Sequence, residues 1–215
     1  MEIWLDTVNL ETIVKAEEMG ILHGVTTNPS LLAKSGQPFK KVLENLLLAQ
    51  KGAVTFQVTP HEPELMIRQA QEIYDSSNRI MIKVPVTAQG LKVITSLVRL
   101  NIPVMATAVF DPNQVLFAAK AGATYIAPYY SRICEADVYG IDAVKSMLHL
   151  LSRHSLPSKL IAASLRTPEQ VKECAEMGCH AVTLNESVFA KCMEDHPSTK
   201  EAVARFTKDW KSYIS

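Results

Sequence analysis

Short runs of branched apolar residues alternate along this chain with longer stretches whose apolar positions recur every three or four residues. The run Ile80-Met-Ile-Lys-Val84 is one example: as a strand it puts Met81 and Lys83 on one face and its branched residues on the other. Such runs predict strands at Glu2–Asp6, Gly24–Thr27, Ala53–Val58, Ile80–Val84, Val104–Ala108, Tyr125–Pro128, Leu160–Ala163 and Ala181–Leu184. The longer period predicts helices over Leu10–Met19, Phe39–Gln50, Pro63–Tyr74, Leu91–Leu100, Pro112–Ala121, Ile141–His154 and Pro168–Met177. Helix stops at Met19-Gly20, Ala121-Gly122 and Met177-Gly178, and helix starts at Asp111-Pro112 and Thr167-Pro168, punctuate the alternation.

Strands that alternate with helices through 215 residues imply an α/β protein, a single (β/α)8 (TIM) barrel domain over residues 1–215. An open doubly wound sheet is the alternative, and the lack of GxGxxG after the first strand counts against its dinucleotide-binding form. A terminal helix over 199–215 carries an apolar stripe of Val203, Phe206 and Trp210. That stripe fits packing on its own barrel or docking on a neighbouring subunit.

Composition narrows the function classes. Lys plus Arg and Asp plus Glu each number 22, and no basic cluster or nucleic-acid-binding signature interrupts the chain. No apolar run reaches the length of a bilayer span, and the first residues read as a strand rather than a signal peptide. A cytoplasmic protein with neither nucleic-acid nor membrane partners is expected. Cys134, Cys174, Cys179 and Cys192 form no CxxC pair, and the histidines make no HExxH, so no metal site is expected.

Lys83 carries the strongest chemical signal. Inside a sheet covered on both faces its amine loses hydration, which disfavours the ammonium and makes an amine nucleophile at neutral pH; on an edge strand it would simply reach for water. A barrel requires catalytic groups at the C-terminal ends of several strands. Asp6, Thr26, Asn28, Gln57, Lys83, Thr107 and Tyr129 stand at such ends, followed by Arg132, Ser164 and Arg166. Alternation adds that Thr55 and Gln57, Met81 and Lys83, Met105 and Thr107, Tyr125 and Tyr129, and Ala162 and Ser164 face inward. Val54, Phe56, Ile82, Val84, Ala106, Ile126 and Ile161 then face the helices. So many inward polar groups around one lysine point to a ligand.

Individual residues keep plainer readings beside this one. Thr26 and Thr27 suit a strand with hydroxyls on backbone, Asn28-Pro29-Ser30 suits a turn and helix cap, and Tyr130 suits packing. Arg132, Ser164 and Arg166 suit either a solvated rim or a phosphate.

Six segments carry a family resemblance: Leu5-Asp-Thr7, Gly24-Val-Thr-Thr-Asn-Pro-Ser30, Lys83-Val-Pro-Val-Thr87, Thr107-Ala-Val109, Ala127-Pro-Tyr129 with Arg132, and Ala162-Ala-Ser164 with Arg166. Together they resemble the small transaldolase family from Met1 to Phe206-Thr-Lys-Asp-Trp210. Gln57 and Tyr129 are similar to its fructose-6-phosphate aldolase branch, where transaldolases of this size carry glutamate and phenylalanine. Arg166 is closer to transaldolase, and Ile133-Cys-Glu-Ala-Asp-Val-Tyr139 lacks the glycine-rich loop of the aldolase branch.

The resemblance implies a class I aldolase without a cofactor, one that splits a ketose phosphate such as fructose 6-phosphate into dihydroxyacetone and glyceraldehyde 3-phosphate or forms it from them. Lys83 would form a Schiff base with a ketose phosphate. Asp6 would assist proton transfer, Tyr129 would act as acid and base, and Gln57 and Thr107 would hold a water. Thr26 and Asn28 would meet the substrate, whose phosphate or donor end would bind Arg132, Ser164 and Arg166. It also implies a homo-oligomer, pentamer or decamer, with the last helix on a neighbour. The alternatives are a transaldolase of the pentose phosphate pathway that passes a dihydroxyacetone unit between sugar phosphates, and a non-catalytic phosphosugar-binding barrel.

Overall fold

The computed structural model describes residues 1–136 and 140–214. Its first half comprises β1 (Glu2–Asp6), α1 (Leu10–Glu18), β2 (Leu22–Thr26), α2 (Pro29–Ser35), α3 (Phe39–Ala49), β3 (Ala53–Gln57), α4 (Pro63–Tyr74) and β4 (Ile80–Pro85). Next come α5 (Ala88–Arg99), β5 (Val104–Val109), α6 (Pro112–Lys120), β6 (Tyr125–Pro128), α7 (Tyr130–Ala136) and α8 (Gly140–Arg153). The chain finishes with β7 (Lys159–Ala162), α9 (Pro168–Met177), β8 (Ala181–Leu184), α10 (Glu186–Cys192) and α11 (Pro197–Ile214). The strands are parallel, each pairs with the next, and β8 pairs with β1, so they close into a (β/α)8 barrel. Within Ile133–Tyr139 the residues up to Ala136 are helical; Asp137, Val138 and Tyr139 lie outside the described residues, as does Ser215.

Pleating sorts the side chains into two cores. Val54, Phe56, Ile82, Val84, Ala106 and Ile126 face the helices and are fully buried there. Each of the larger ones contributes about 1.5–3 kcal/mol of transfer free energy. Trp4, Met81, Met105 and Tyr125 fill the barrel itself. Gly24 makes room for the first of these: a Cβ there would lie 2.6 Å from the Trp4 ring and 2.6 Å from the Ala53 carbonyl oxygen.

The expected facing of β7 is reversed. Ile161 and Ala163 point into the barrel and Ala162 packs outward against the helices. Ser164 still reaches the barrel mouth because it leaves the strand with a left-handed φ of +61°, which breaks the alternation. Ala108 at the end of β5 has the same unusual backbone, φ +56°. Non-glycine residues carry a steric cost of about 1–2 kcal/mol in this region.

Several boundaries shift for identifiable reasons. β2 starts at Leu22, which pairs with Ile3, and ends at Thr26. Thr27 instead bonds across to β3, its hydroxyl donating to the Thr55 carbonyl at 2.6 Å. α5 begins at Ala88 because Thr87 caps it, Oγ1 accepting from the Gly90 amide at 2.9 Å. Asp111 and Gln114 form a reciprocal capping box at α6. The helix stops at Gly20, Gly122 and Gly178 all take positive φ, as their sequence positions require.

α11 keeps its apolar stripe exposed. None of its described residues is buried, and Val203, Phe206 and Trp210 are 57%, 60% and 62% exposed. Among the described residues no helix is long and apolar enough to cross a membrane.

Candidate active site

Strand register brings the polar residues to one level. Asp6 pairs with Thr26, Thr26 with Thr55, Gln57 with Lys83, and Lys83 with Met105. The strand ends open into a cavity of about 570 Å³. Asp6, Thr26, Asn28, Gln57, Lys83, Tyr129, Arg132, Ser164 and Arg166 all line it. Thr107 does not; it is fully buried, and its hydroxyl lies 3.4 Å from the Tyr129 phenol oxygen.

Lys83 is 6% exposed on a strand whose flanking residues are also buried. Its Nζ donates to the Thr27 carbonyl oxygen at 3.0 Å. Burial pushes the amine below its ordinary pKa, and the Asp6 carboxylate acts in the opposite direction. Asp6 is held in turn. Thr26 Oγ1 donates to Asp6 Oδ1 at 2.7 Å and lies 2.7 Å from Thr183 Oγ1. The one hydroxyl proton of Thr26 is used on Asp6, so Thr183 donates to Thr26.

Asn28 lies at the N-terminus of α2. Its Oδ1 accepts from the Leu31 amide at 3.0 Å, so the cap reading holds and its NH₂ end is what it can offer the cavity. The Tyr129 ring meets Phe110 in a T-shaped contact, centroids 5.3 Å apart at 74°, and the Arg132 guanidinium lies 5.0 Å from its centroid. Tyr130, by contrast, is buried and donates to Glu173 at 2.7 Å, consistent with packing.

The rim is tied together by side chains that bridge successive loops. Gln170 Oε1 accepts from the Ser131 hydroxyl and from the Arg166 amide, both at 2.8 Å. Asn185 Nδ2 donates to the Leu165 carbonyl at 3.1 Å, and its Oδ1 caps α10. Thr7 and Asn9 both donate to Glu186, at 2.6 and 3.1 Å. The segments that carry Arg132 and Arg166 are therefore braced, while the two arginine side chains remain exposed.

Further polar residues line the cavity, among them Thr183, Asn185 and Lys34. Alternation from Ala181 places Thr183 inward, and Asn185 directly follows β8, so the rules that find the other strand ends reach both. Lys34 had no such signal, because α2 carries no buried residue and hence no apolar stripe.

A dry amine beneath a phenol, a fixed carboxylate and a cationic rim suits a carbonyl compound with an anionic end. Comparison with known proteins points the same way. Residues 3–215 match the family described as Transaldolase/Fructose-6-phosphate aldolase. The chain is 38% identical over 212 residues to a probable transaldolase of Clostridium tetani, covering 99% of both chains. It is 36% identical over 212 residues to one of Symbiobacterium thermophilum, covering 99% of this chain and 98% of that one. A probable transaldolase of Aquifex aeolicus is 37% identical over 210 residues, with 98% and 96% covered. Among solved structures, a mandelate oxidase mutant with a monooxide FMN adduct superposes with a TM-score of 0.59 at 14% identity. That match covers 82% of this chain and 58% of that one, and it shows a shared barrel fold alone.

Proposed function

We propose that this chain, which belongs to the transaldolase/fructose-6-phosphate aldolase family, is a class I aldolase acting on a ketose phosphate such as fructose 6-phosphate. The observation that carries the reading is the buried Lys83 amine at the base of a cavity whose rim bears arginines. The neutral amine adds to the keto carbon, and loss of water gives an iminium. The C3–C4 bond then breaks as a base takes the C4 hydroxyl proton. Its electron pair moves into the iminium to leave an enamine, and glyceraldehyde 3-phosphate departs. Protonation of the enamine carbon and hydrolysis release dihydroxyacetone and restore the amine.

Within this scheme Tyr129 is the acid and base, and Gln57 and Thr107 hold the water it works through. Asp6 assists proton transfer, steadied by Thr26. Asn28 meets substrate hydroxyls with its NH₂ group, and Arg132, Ser164 and Arg166 take the phosphate. The iminium itself supplies the electron sink.

Transaldolase chemistry, in which the enamine attacks a second aldose phosphate instead of taking a proton, is the second reading. The names of the relatives at 36–38% identity favour it, and it would make the chain a cytoplasmic enzyme of the pentose phosphate pathway. Incubation with fructose 6-phosphate alone separates the two. Multiple turnovers of glyceraldehyde 3-phosphate support the aldolase; release only after addition of erythrose 4-phosphate supports the transaldolase. Borohydride added with the ketose tests their shared premise: a protein adduct absent from Lys83→Ala is expected, and an unmodified wild type would reduce the chain to a phosphosugar-binding barrel.

The exposed stripe on α11 supports assembly of copies of this chain, as a pentamer or decamer, with that helix seated on a neighbour. Sedimentation of the full chain beside Phe206→Glu/Trp210→Glu checks it: the variant should dissociate, and an unchanged mass would remove the stripe from any interface.

A further inference from the structure

We propose that Glu135 sets the phosphate preference of the barrel mouth by competing with the substrate for Arg166, an inference that rests on reading Arg132, Ser164 and Arg166 as the phosphate end. The two residues come from different elements. Arg166 lies in the loop after β7, Glu135 lies on α7, and the Arg166 Nη1 bonds Glu135 Oε1. Their meeting is held in place by a neighbouring side chain. The single Gln170 carboxamide oxygen holds both the Ser131 hydroxyl on α7 and the Arg166 amide, each at 2.8 Å. The helix that carries the carboxylate and the loop that carries the guanidinium are thus clamped side by side.

A guanidinium already holding a carboxylate can take a phosphate in two ways. It can exchange one anion for the other, losing the first ion pair, or spread its donors over both and set two anions against each other. Either route lowers affinity for a phosphorylated substrate and leaves an uncharged one unaffected. Arg132 is differently placed: its guanidinium rests on the Tyr129 ring, and no described ion pair includes it. Among the described residues, then, Arg166 is the rim arginine whose guanidinium already holds a carboxylate. Both members of the Arg166–Glu135 pair are about half exposed, at 56% and 53%, so water moderates the competition to a several-fold effect.

The test uses the full chain as wild type, Glu135→Gln, Arg166→Ala and the double variant. Binding of inorganic phosphate is measured by titration calorimetry. KM is measured for glyceraldehyde 3-phosphate and for glyceraldehyde, with dihydroxyacetone as the other substrate. Glu135→Gln should lower the phosphate Kd and the KM for the phosphorylated aldehyde about two- to fivefold at low salt. KM for glyceraldehyde should stay put, and the gain should vanish in the double variant. A gain that survives without Arg166 overturns the competition, as does no gain where Arg166→Ala alone weakens phosphate; both leave the phosphate-end reading standing. Should Arg166→Ala leave phosphate binding unchanged, that reading falls first and the competition with it.

Discussion

Lys83 Nζ donates to the carbonyl oxygen of Thr27 across 3.0 Å. The acceptor is neutral, so this bond holds either protonation state of the amine. A carboxylate in its place would favour the ammonium strongly. Asp6 does influence the amine, but burial is the larger effect and acts the other way. With one hydrogen pinned to Thr27, the neutral amine has a fixed position from which its lone pair can approach a carbonyl carbon.

That balance has a consequence for stability. Burial lowers the folded pKa of Lys83, while the unfolded amine titrates near its ordinary 10.5. Across the window between the two, the unfolded chain binds a proton that the folded chain lacks, so stability rises with pH. One proton gives a slope of at most about 1.4 kcal/mol per pH unit. Lys83→Met removes this dependence. The stability of Lys83→Met relative to wild type should therefore fall as pH is raised from 7 toward 10.5, as read from urea midpoints at several pH values. A constant difference would mean that the folded amine titrates like a solvated one.

Tyr129→Phe separates bond breaking from covalent capture. The ring would keep its place, since its T-shaped contact with Phe110 and its stacking under Arg132 remain and only the hydroxyl shared with Thr107 is lost. Cleavage of a ketose phosphate should slow by about 10²–10⁴-fold, the usual contribution of a positioned acid or base. Borohydride-trapped adduct on Lys83 should change by no more than a few-fold. Equal losses in the two assays would remove the phenol from proton transfer and make it a binding group.

Both predictions use residues that alternation alone exposes, and the reason is local. In β3, β4 and β5 one face is apolar and the other carries Gln57, Lys83 or Thr107 at its C-terminal end, so the period of two is visible. β7 offers no such contrast. Leu160, Ile161, Ala162 and Ala163 are apolar on both faces, and the left-handed turn at Ser164 then swaps the side its hydroxyl reaches. Short elements hide for another reason: α2 and α7 span seven residues each, too few to repeat a helical stripe. Contacts such as Gln170 with Ser131, or Arg166 with Glu135, join residues 39 and 31 positions apart and leave no local pattern. The strand-end residues were thus legible, and the braces that hold them were not.

At the opposite end of the barrel, Glu2 organises the floor. Its Oε2 accepts from the Tyr125 phenol at 2.8 Å and the Trp4 indole at 3.2 Å, while Oε1 accepts from Lys159 at 2.5 Å. Burial alone would raise the Glu2 pKa, but the bonds from Lys159, Tyr125 and Trp4, with His23 nearby, outweigh it and lower the value. Burial, and then the same carboxylate, push the Tyr125 phenol up, so Tyr125 remains a donor. A carboxyl lowered in the folded state stabilises the fold above its ordinary 4.5, and the contribution is lost as pH falls through the folded value. Glu2→Gln keeps the shape but loses the charge-assisted bonds, at a cost of about 1–3 kcal/mol at pH 7. For a chain of this size that lowers Tm by roughly 2–4 °C per kcal/mol. The gap between wild type and variant should narrow once pH drops below the ordinary glutamate range, and turnover at the far mouth should stay within about twofold. Melting curves at pH 7 and pH 3.5 decide it: a gap that persists undiminished in acid would show that Glu2 holds the floor by packing, not by charge.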